Sequence, residues 1–314
     1  MITETNLRKL PGHTGARSFE NVATDVLLTY LLQLFEERGI AKYLAFKGGT
    51  MLRKMVFGPA GRLSTDLDFT ALPDVDRDDL SLALRESFID PFHDISFEVN
   101  DKRDWYETED GCAVTPKCSY PANPNGQLIK IQVSFRERTI LPPVKKAQIL
   151  PDPYLKAITE FTPCEVLCLQ DEEVIAEKIR AGHQRAQVRD LYDLHKIGSR
   201  QMDQALVRSL ATAKLWKSDK GQLNYAEFKA NIENGRNYDQ ADLLNLLPRG
   251  QSVNLAEMTE GVIRNFRFLG EITAEEKAVI DDTHRRNPEA YQALIKSIPG
   301  SIDSAEANAS AWTF

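Results

Sequence analysis

From Phe19 to Arg38, apolar residues recur at helical spacing (Val22, Val26, Leu27, Tyr30, Leu31, Leu34), which predicts a helix that Gly39 stops. Tyr43–Phe46 is short and apolar and predicts a buried strand. The chain then breaks at Lys47-Gly48-Gly49-Thr50 and re-enters a helix with Met51, Leu52, Met55 and Val56 on one face. From Leu63 to Thr70 the period changes to two. Leu63, Leu67 and Phe69 point one way, and Ser64, Asp66, Asp68 and Thr70 point the other. A helix near Asp76–Phe88, a strand at Ile95–Val99, irregular strand over 103–120 and an alternating strand at Leu128–Arg136 complete this half.

Proline density over 142–163 predicts no regular element there and places a domain junction in that stretch. Beyond it, residues 171–185, 189–198, 203–216, 239–247, 254–269, 273–284 and 287–297 all show helical patterns, and the last dozen residues predict a frayed tail. The expectation is an α+β protein: a mixed sheet with helices over residues 1–155, then a helical domain over 156–314.

Composition narrows the function classes. No apolar run approaches the length of a membrane span, so no membrane partner is expected. The first fifteen residues lack an apolar signal core, and the expected compartment is the cytoplasm. The 4 cysteines form neither a disulfide framework nor paired metal knuckles. A formal net charge of −7 argues against coating nucleic acid by bulk electrostatics, although it permits a local basic groove.

Asp66 and Asp68, two apart on a strand, project from one face with Cα atoms roughly 6–7 Å apart. Carboxylates so placed suit a hard divalent cation, which takes few protein ligands and completes its shell with water and phosphate oxygens. The same spacing also describes the wet face of an edge strand. Lys47-Gly48-Gly49-Thr50 is either a tight turn with a threonine cap or a place where backbone N–H groups meet a phosphate. In the helix spanning 172–185, Lys178 falls on the inward arc with Val174, Ile175 and Ile179. It must meet a negative partner, either an internal carboxylate or a bound triphosphate. Arg189 and Asp193 could form an intrahelical ion pair, and Asp190 could begin that helix.

Four blocks in order carry a resemblance. Leu44-Ala-Phe-Lys-Gly-Gly-Thr-Met-Leu-Arg-Lys54, Arg62-Leu-Ser-Thr-Asp-Leu-Asp-Phe69, Ala176-Glu-Lys-Ile-Arg-Ala181 and Arg189-Asp-Leu-Tyr-Asp-Leu194 resemble the AbiEii/AbiGii nucleotidyltransferase toxins, to which MenT-type toxins are similar. The resemblance implies an N-terminal nucleotidyltransferase fold whose active-site cleft a helical domain completes. It implies that Lys47, Gly48, Gly49, Thr50, Ser64, Lys178, Arg189 and Asp190 engage an NTP substrate. It also implies that Asp66 and Asp68 hold Mg²⁺ or Mn²⁺, and that Asp66, Asp68, Lys178 and Asp193 are the catalytic group. Implied partners are RNA, with a tRNA 3′ end as expected acceptor, and a cognate antitoxin from a neighbouring gene. A protein or small-molecule hydroxyl is the alternative acceptor, and a nucleotide-binding module without turnover is the alternative class.

One departure from the family pattern concerns a third carboxylate, expected on the strand Lys130-Ile-Gln-Val-Ser134. Here the outward residues are Lys130, Gln132 and Ser134, and Glu98 is the candidate substitute. An RNA acceptor calls for cations, and Arg180, Arg185, Arg264, Arg267, Arg285 and Arg286 are the candidates. Phe266 between two of them would either stack a base or sit in the core.

Overall fold

Strands β1 (Leu44–Lys47) and β2 (Asp66–Ala71) lie inside a seven-stranded mixed sheet in the computed structural model, which describes residues 3–157, 162–218 and 221–303. The other strands are β3 (Ser96–Glu98), β4 (Trp105–Thr108), β5 (Gly111–Val114), β6 (Lys117–Tyr120), β7 (Asn123–Leu128), β8 (Lys130–Ser134), β9 (Val144–Ala147) and β10 (Glu165–Cys168). The large sheet has the order β4-β5-β8-β2-β1-β10-β9, and β3-β6-β7 form a second, antiparallel sheet. Within the large sheet β1/β10 and β2/β8 are parallel pairs, while the remaining pairs are antiparallel.

The alternation along β2 is realised: Leu67 and Phe69 are buried while Asp66 and Asp68 stay partly open. Phe69 packs against Phe46 with ring centroids 5.0 Å apart and against Phe35 at 5.7 Å. Such aromatic pairs add about 0.5–1.5 kcal/mol each beyond the area they bury. Phe35 comes from α2 (Phe19–Glu37), which follows α1 (Glu4–Thr14) and is buried from Val22 to Phe35. Polar positions on that buried stretch need internal partners; Asp25, for example, accepts a 2.6 Å hydrogen bond from Tyr154. Between β1 and β2 run the short helix α3 (Gly48–Met51) and a π-helical turn, Leu52–Phe57, and later come α4 (Arg77–Glu86) and α5 (Asp152–Ala157).

Two expectations need correction. The proline-rich stretch 142–163 contains β9 and α5 rather than no regular element, because β9 is an edge strand whose flanking prolines interrupt no ladder. Glu98 lies in the second sheet, opposite Lys117, and so does not substitute for an acid beside β2.

Helices dominate the rest: α6 (Asp171–Gln184), α7 (Val188–Gly198), α8 (Gln204–Lys217), α9 (Tyr225–Asn234), α10 (Gln240–Asn245), α11 (Leu255–Asn265), α12 (Ala274–Asp281) and α13 (Pro288–Ser297). The chain divides into two compact units. The sheet unit comprises residues 3–139, 143–168 and 243–251, and the helical unit takes the remainder. Buried ion pairs recur in the helical unit: Arg208 with Glu276 at 2.8 Å, and Lys214 with Glu173 at 2.8 Å. Glu173 also accepts the N–H groups of Ile140 and Leu141, which explains why residues 140–142 belong with the helices. All but the first of the final dozen residues lie outside the described ones.

Candidate active site

Strand register builds the first cluster. β1 and β8 flank β2, with Lys47 and Gln132 both opposite Asp68. Cross-strand partners share a face, so Lys47, Asp68 and Gln132 form one row across three strands, and Asp66 starts the next row beside Lys130. The position where a third acid was expected is thus adjacent to Asp68 and is filled by a neutral amide.

The glycine turn is held against this row. Gly48 has φ +79°, and a Cβ there would stand 2.5 Å from Asp68 Oδ2. Only glycine lets the backbone pass this close to the carboxylate. A Cβ on Gly49 would meet the guanidinium of Arg62 at 2.6 Å and Ser64 Oγ at 3.4 Å. Ser64 Oγ donates to Asp66 Oδ1 at 3.3 Å, and the Thr50 hydroxyl donates to the Asp66 backbone carbonyl. Lys47 Nζ is 2.7 Å from Glu137 Oε2, a carboxylate that arrives just after β8. Lys47, Gly48, Gly49, Thr50, Ser64, Asp66 and Asp68 are therefore brought together, with Arg62 and Glu137 added.

The helical unit holds the second cluster. Lys178 on α6 is 7% exposed, and its Nζ lies 2.7 Å from Asp193 Oδ2 and 3.5 Å from Asp190 Oδ1, both on α7. Arg185 donates twice to Asp190, at 2.9 and 3.1 Å. Asp190 and Asp193 are 1% and 2% exposed. Asp193 is thus one partner of Lys178. Arg189 turns away from Asp193 and grips Asp242 through two hydrogen bonds of 2.6 and 2.7 Å. Burial pushes both His183 and His195, on the same two helices, below the ordinary histidine range.

A family model for the nucleotidyl transferase AbiEii toxin of type IV toxin–antitoxin systems matches residues 30–267. The chain belongs to the AbiEii toxin family. Its structure is similar to MenT4, a nucleotidyltransferase toxin of Mycobacterium tuberculosis H37Rv, with a TM-score of 0.72 and 25% identity over 94% of this chain and 99% of that one. Two Helicobacter pylori structures are more distant: a putative nucleotidyltransferase (TM-score 0.47, 18% identity, 78% and 94% covered) and JHP933 (TM-score 0.48, 16% identity, 87% and 98% covered). No curated protein matches the sequence. This AbiEii chain is a nucleotidyltransferase with an NTP as substrate, the toxin of a type IV pair whose partner is an antitoxin. Among the described residues no helix is long and apolar enough to cross a membrane.

In this AbiEii protein, Arg62 and Glu137 are the site residues that the sequence offers no reason to single out. Arg62 sits inside a family block, two residues before Ser64, but nothing in its spacing reveals that its guanidinium packs on Gly49. Glu137 lies beyond the end of the β8 alternation, so strand periodicity could not assign it a face. Of the candidate RNA-contacting cations, Arg264 and Arg267 join Arg200 in lining a polar recess of 450 Å³ together with Gln201, Gln204 and Asn265. Arg285 instead donates to the Trp216 carbonyl, and Phe266 is fully buried. Phe266 is core, not a stacking platform.

Proposed function

We propose that this toxin transfers NMP from an NTP to an RNA hydroxyl, a tRNA 3′ acceptor end being the expected target, and that Asp66 and Asp68 hold the divalent cation, Mg²⁺ or Mn²⁺. The observation carrying the reading is the fit of Gly48 against Asp68, which puts the start of α3 beside two partly open carboxylates. The first N–H groups of a helix have no carbonyl partner within it, and they favour an anion. Among the described residues no group of three or more metal-ligating side chains converges. Two carboxylates nevertheless suit a hard cation that takes its other ligands from phosphate and water, and the neutral Gln132 argues for one such ion rather than two. Bound there, the ion would neutralise charge on the triphosphate and the departing pyrophosphate.

The chain's own groups orient and stabilise. Gly48, Gly49 and Thr50 offer backbone N–H groups to phosphate oxygens, and Lys47 adds a positive charge to the same row. Ser64 and the Thr50 hydroxyl fix Asp66, and Arg62 braces the turn from behind Gly49. Lys178, positioned by Asp190 and Asp193, is assigned to the triphosphate, with Arg189 on the same helix pair. The acceptor hydroxyl attacks the α-phosphorus, the bond to pyrophosphate breaks, and the hydroxyl proton passes to one of the carboxylates Asp66, Asp68 or Asp193. Most of the acceleration comes from positioning and preorganised charge.

An RNA acceptor is supported by the recess around Arg200, Arg264 and Arg267. Arginine and amide side chains are the usual donors to phosphates, and Met202 is the one large apolar residue in the lining. Incubating the protein with labelled NTPs, total RNA and a protein extract tests the acceptor. Label in tRNA is expected. Label in protein or a small molecule moves the acceptor there, and bound NTP without transfer leaves a binding module. Arg264→Ala with Arg267→Ala should flatten the salt dependence of tRNA binding by about one unit of slope per lost contact.

A further inference from the structure

The sheet unit contains a cavity of 510 Å³ that the nucleotide reading does not use. Its walls are four aliphatic side chains (Leu63, Ile149, Leu150, Leu246) and the rings of four prolines, and its charged residues are Arg53 and Asp152. The volume is that of a small-molecule site, and mainly apolar walls with a few polar groups are the usual composition of one.

Arg53 is the informative residue. It is 5% exposed and sits in the π-helical turn that follows α3. One guanidinium nitrogen donates to the Gly58 carbonyl, and the other is a long 3.5 Å from Asp25 Oδ2. Counting Tyr154 as a third neighbour, these use at most three of the five N–H donors that a guanidinium carries. Asp25 is already engaged by Tyr154 at 2.6 Å and by Lys54 Nζ at 2.8 Å. Burial pushes Lys54 down to about 8 despite Asp25, and the Arg53 charge adds to the fall. The buried group thus holds two cations and one anion. Asp152 is exposed and forms no ion pair with Arg53 among the described residues. A surplus cation at the wall of an apolar cavity is costly unless an anion completes it.

We propose that this cavity is a binding site for an apolar monocarboxylate, its carboxylate on the remaining donors of Arg53 and its hydrocarbon body against the proline and aliphatic walls. A planar carboxylate matches the guanidinium fork and supplies the one negative charge that the group lacks. The site has a direct structural connection to the cluster around Asp66. Gly61 and Leu63 line the cavity, whereas the intervening Arg62 and the following Ser64 touch Gly49 and Asp66. The proposal stands independently of which molecule accepts the nucleotide.

Calorimetric titration and thermal melting of the full chain test it, with decanoate and indole-3-propionate as chain and ring carboxylates and decan-1-ol as the neutral control. One carboxylate should bind saturably at one per chain below its micellar range and raise the melting temperature. It should bind at least tenfold more tightly than decanol does. Arg53→Gln should remove that preference. Should Arg53→Gln not fold, Leu246→Trp fills the cavity from its apolar side without touching the ion group, and should abolish binding. No saturable binding of either carboxylate, equal affinity for decanol, or binding retained in Leu246→Trp would overturn the proposal.

Discussion

The two acidic clusters differ in how far their carboxylates are open to solvent. Asp66 and Asp68 are partly open to solvent, with Ser64 and Thr50 hydrogen-bonded at Asp66, Gly48 packed on Asp68, and Lys47 opposite Asp68 on the neighbouring strand. Asp190 and Asp193 are buried and carry two cations, Lys178 and Arg185, at 2.7 to 3.5 Å. Equal numbers of carboxylates thus differ in burial. A partly solvated carboxylate pair can be reached by a cation from solution. A buried pair balanced by internal cations mainly fixes two helices to each other. Acid spacing along the chain does not distinguish these states; their surroundings do.

Substitution of the open pair should give the largest effect. Asp66→Asn and Asp68→Asn are expected to lower nucleotide transfer by about 10³-fold or more, on the scale of removing a transition-state charge stabiliser, with the melting temperature unchanged. Labelled NMP incorporation beside a thermal melt checks both halves. Near-wild-type turnover in both variants ends the metal-site assignment.

The buried cluster should respond in stability first. Lys178→Ala leaves two buried carboxylates short of a cation and is expected to lower stability by about 3–5 kcal/mol, read from denaturant unfolding. Unchanged stability with lost NTP affinity would make Lys178 a substrate contact in the same sense as the open pair, and the contrast would dissolve. Both losses together are what its proposed role at the triphosphate requires.

Gly48→Ala sharpens the comparison within the open cluster. Positive φ and a 2.5 Å approach to Asp68 act together, so about 1–3 kcal/mol of strain is expected, with a fall in activity from the displaced carboxylate. Gly49→Ala should be milder, because the far end of the Arg62 side chain can move aside. Equal effects at the two glycines would refute the asymmetry.

A smaller effect is expected from pH. His183 and His195 both have folded values depressed by burial, so the unfolded chain binds protons more readily. Their contribution to stability is present above the ordinary histidine value and is lost as the pH falls through the folded ones. Acid lability should therefore begin in the helical unit. A plot of melting temperature against pH should flatten in the His183→Gln, His195→Gln double variant; an unaltered slope assigns the lability elsewhere.

Much of the fold is readable from the chain, and the failures have physical reasons. The period-two run ending at Thr70, the glycine break and the first long helix each follow from local pattern, and the structure places them within a few residues. β7 is not legible because Asn123-Pro-Asn-Gly-Gln-Leu128 has turn chemistry; its pairing with β6, through an irregular register, makes it a strand. α9 escapes because only Phe228 and Ile232 are buried in it, too narrow a stripe to show a period, although Asn224 and Gly235 supply both caps. Within the candidate site, the row Lys47, Asp68, Gln132 needs strand order, which no local pattern contains. Glu137 and Arg62 need it as well.

The short segment 243–251 carries a consequence for how the toxin is made. Leu246 accepts the N–H of Leu63 at 2.9 Å, and Pro248 bridges to Ala16, so a piece encoded after most of the helical unit closes the sheet unit. During synthesis the Asp-Leu-Asp strand leaves the ribosome early, but the segment that pins its approach arrives only after α9. A chain interrupted between the end of α6 and that point carries Asp66 and Asp68 and lacks the clasp beside them. Completion of the sheet unit therefore waits on a segment that follows α9 in the chain.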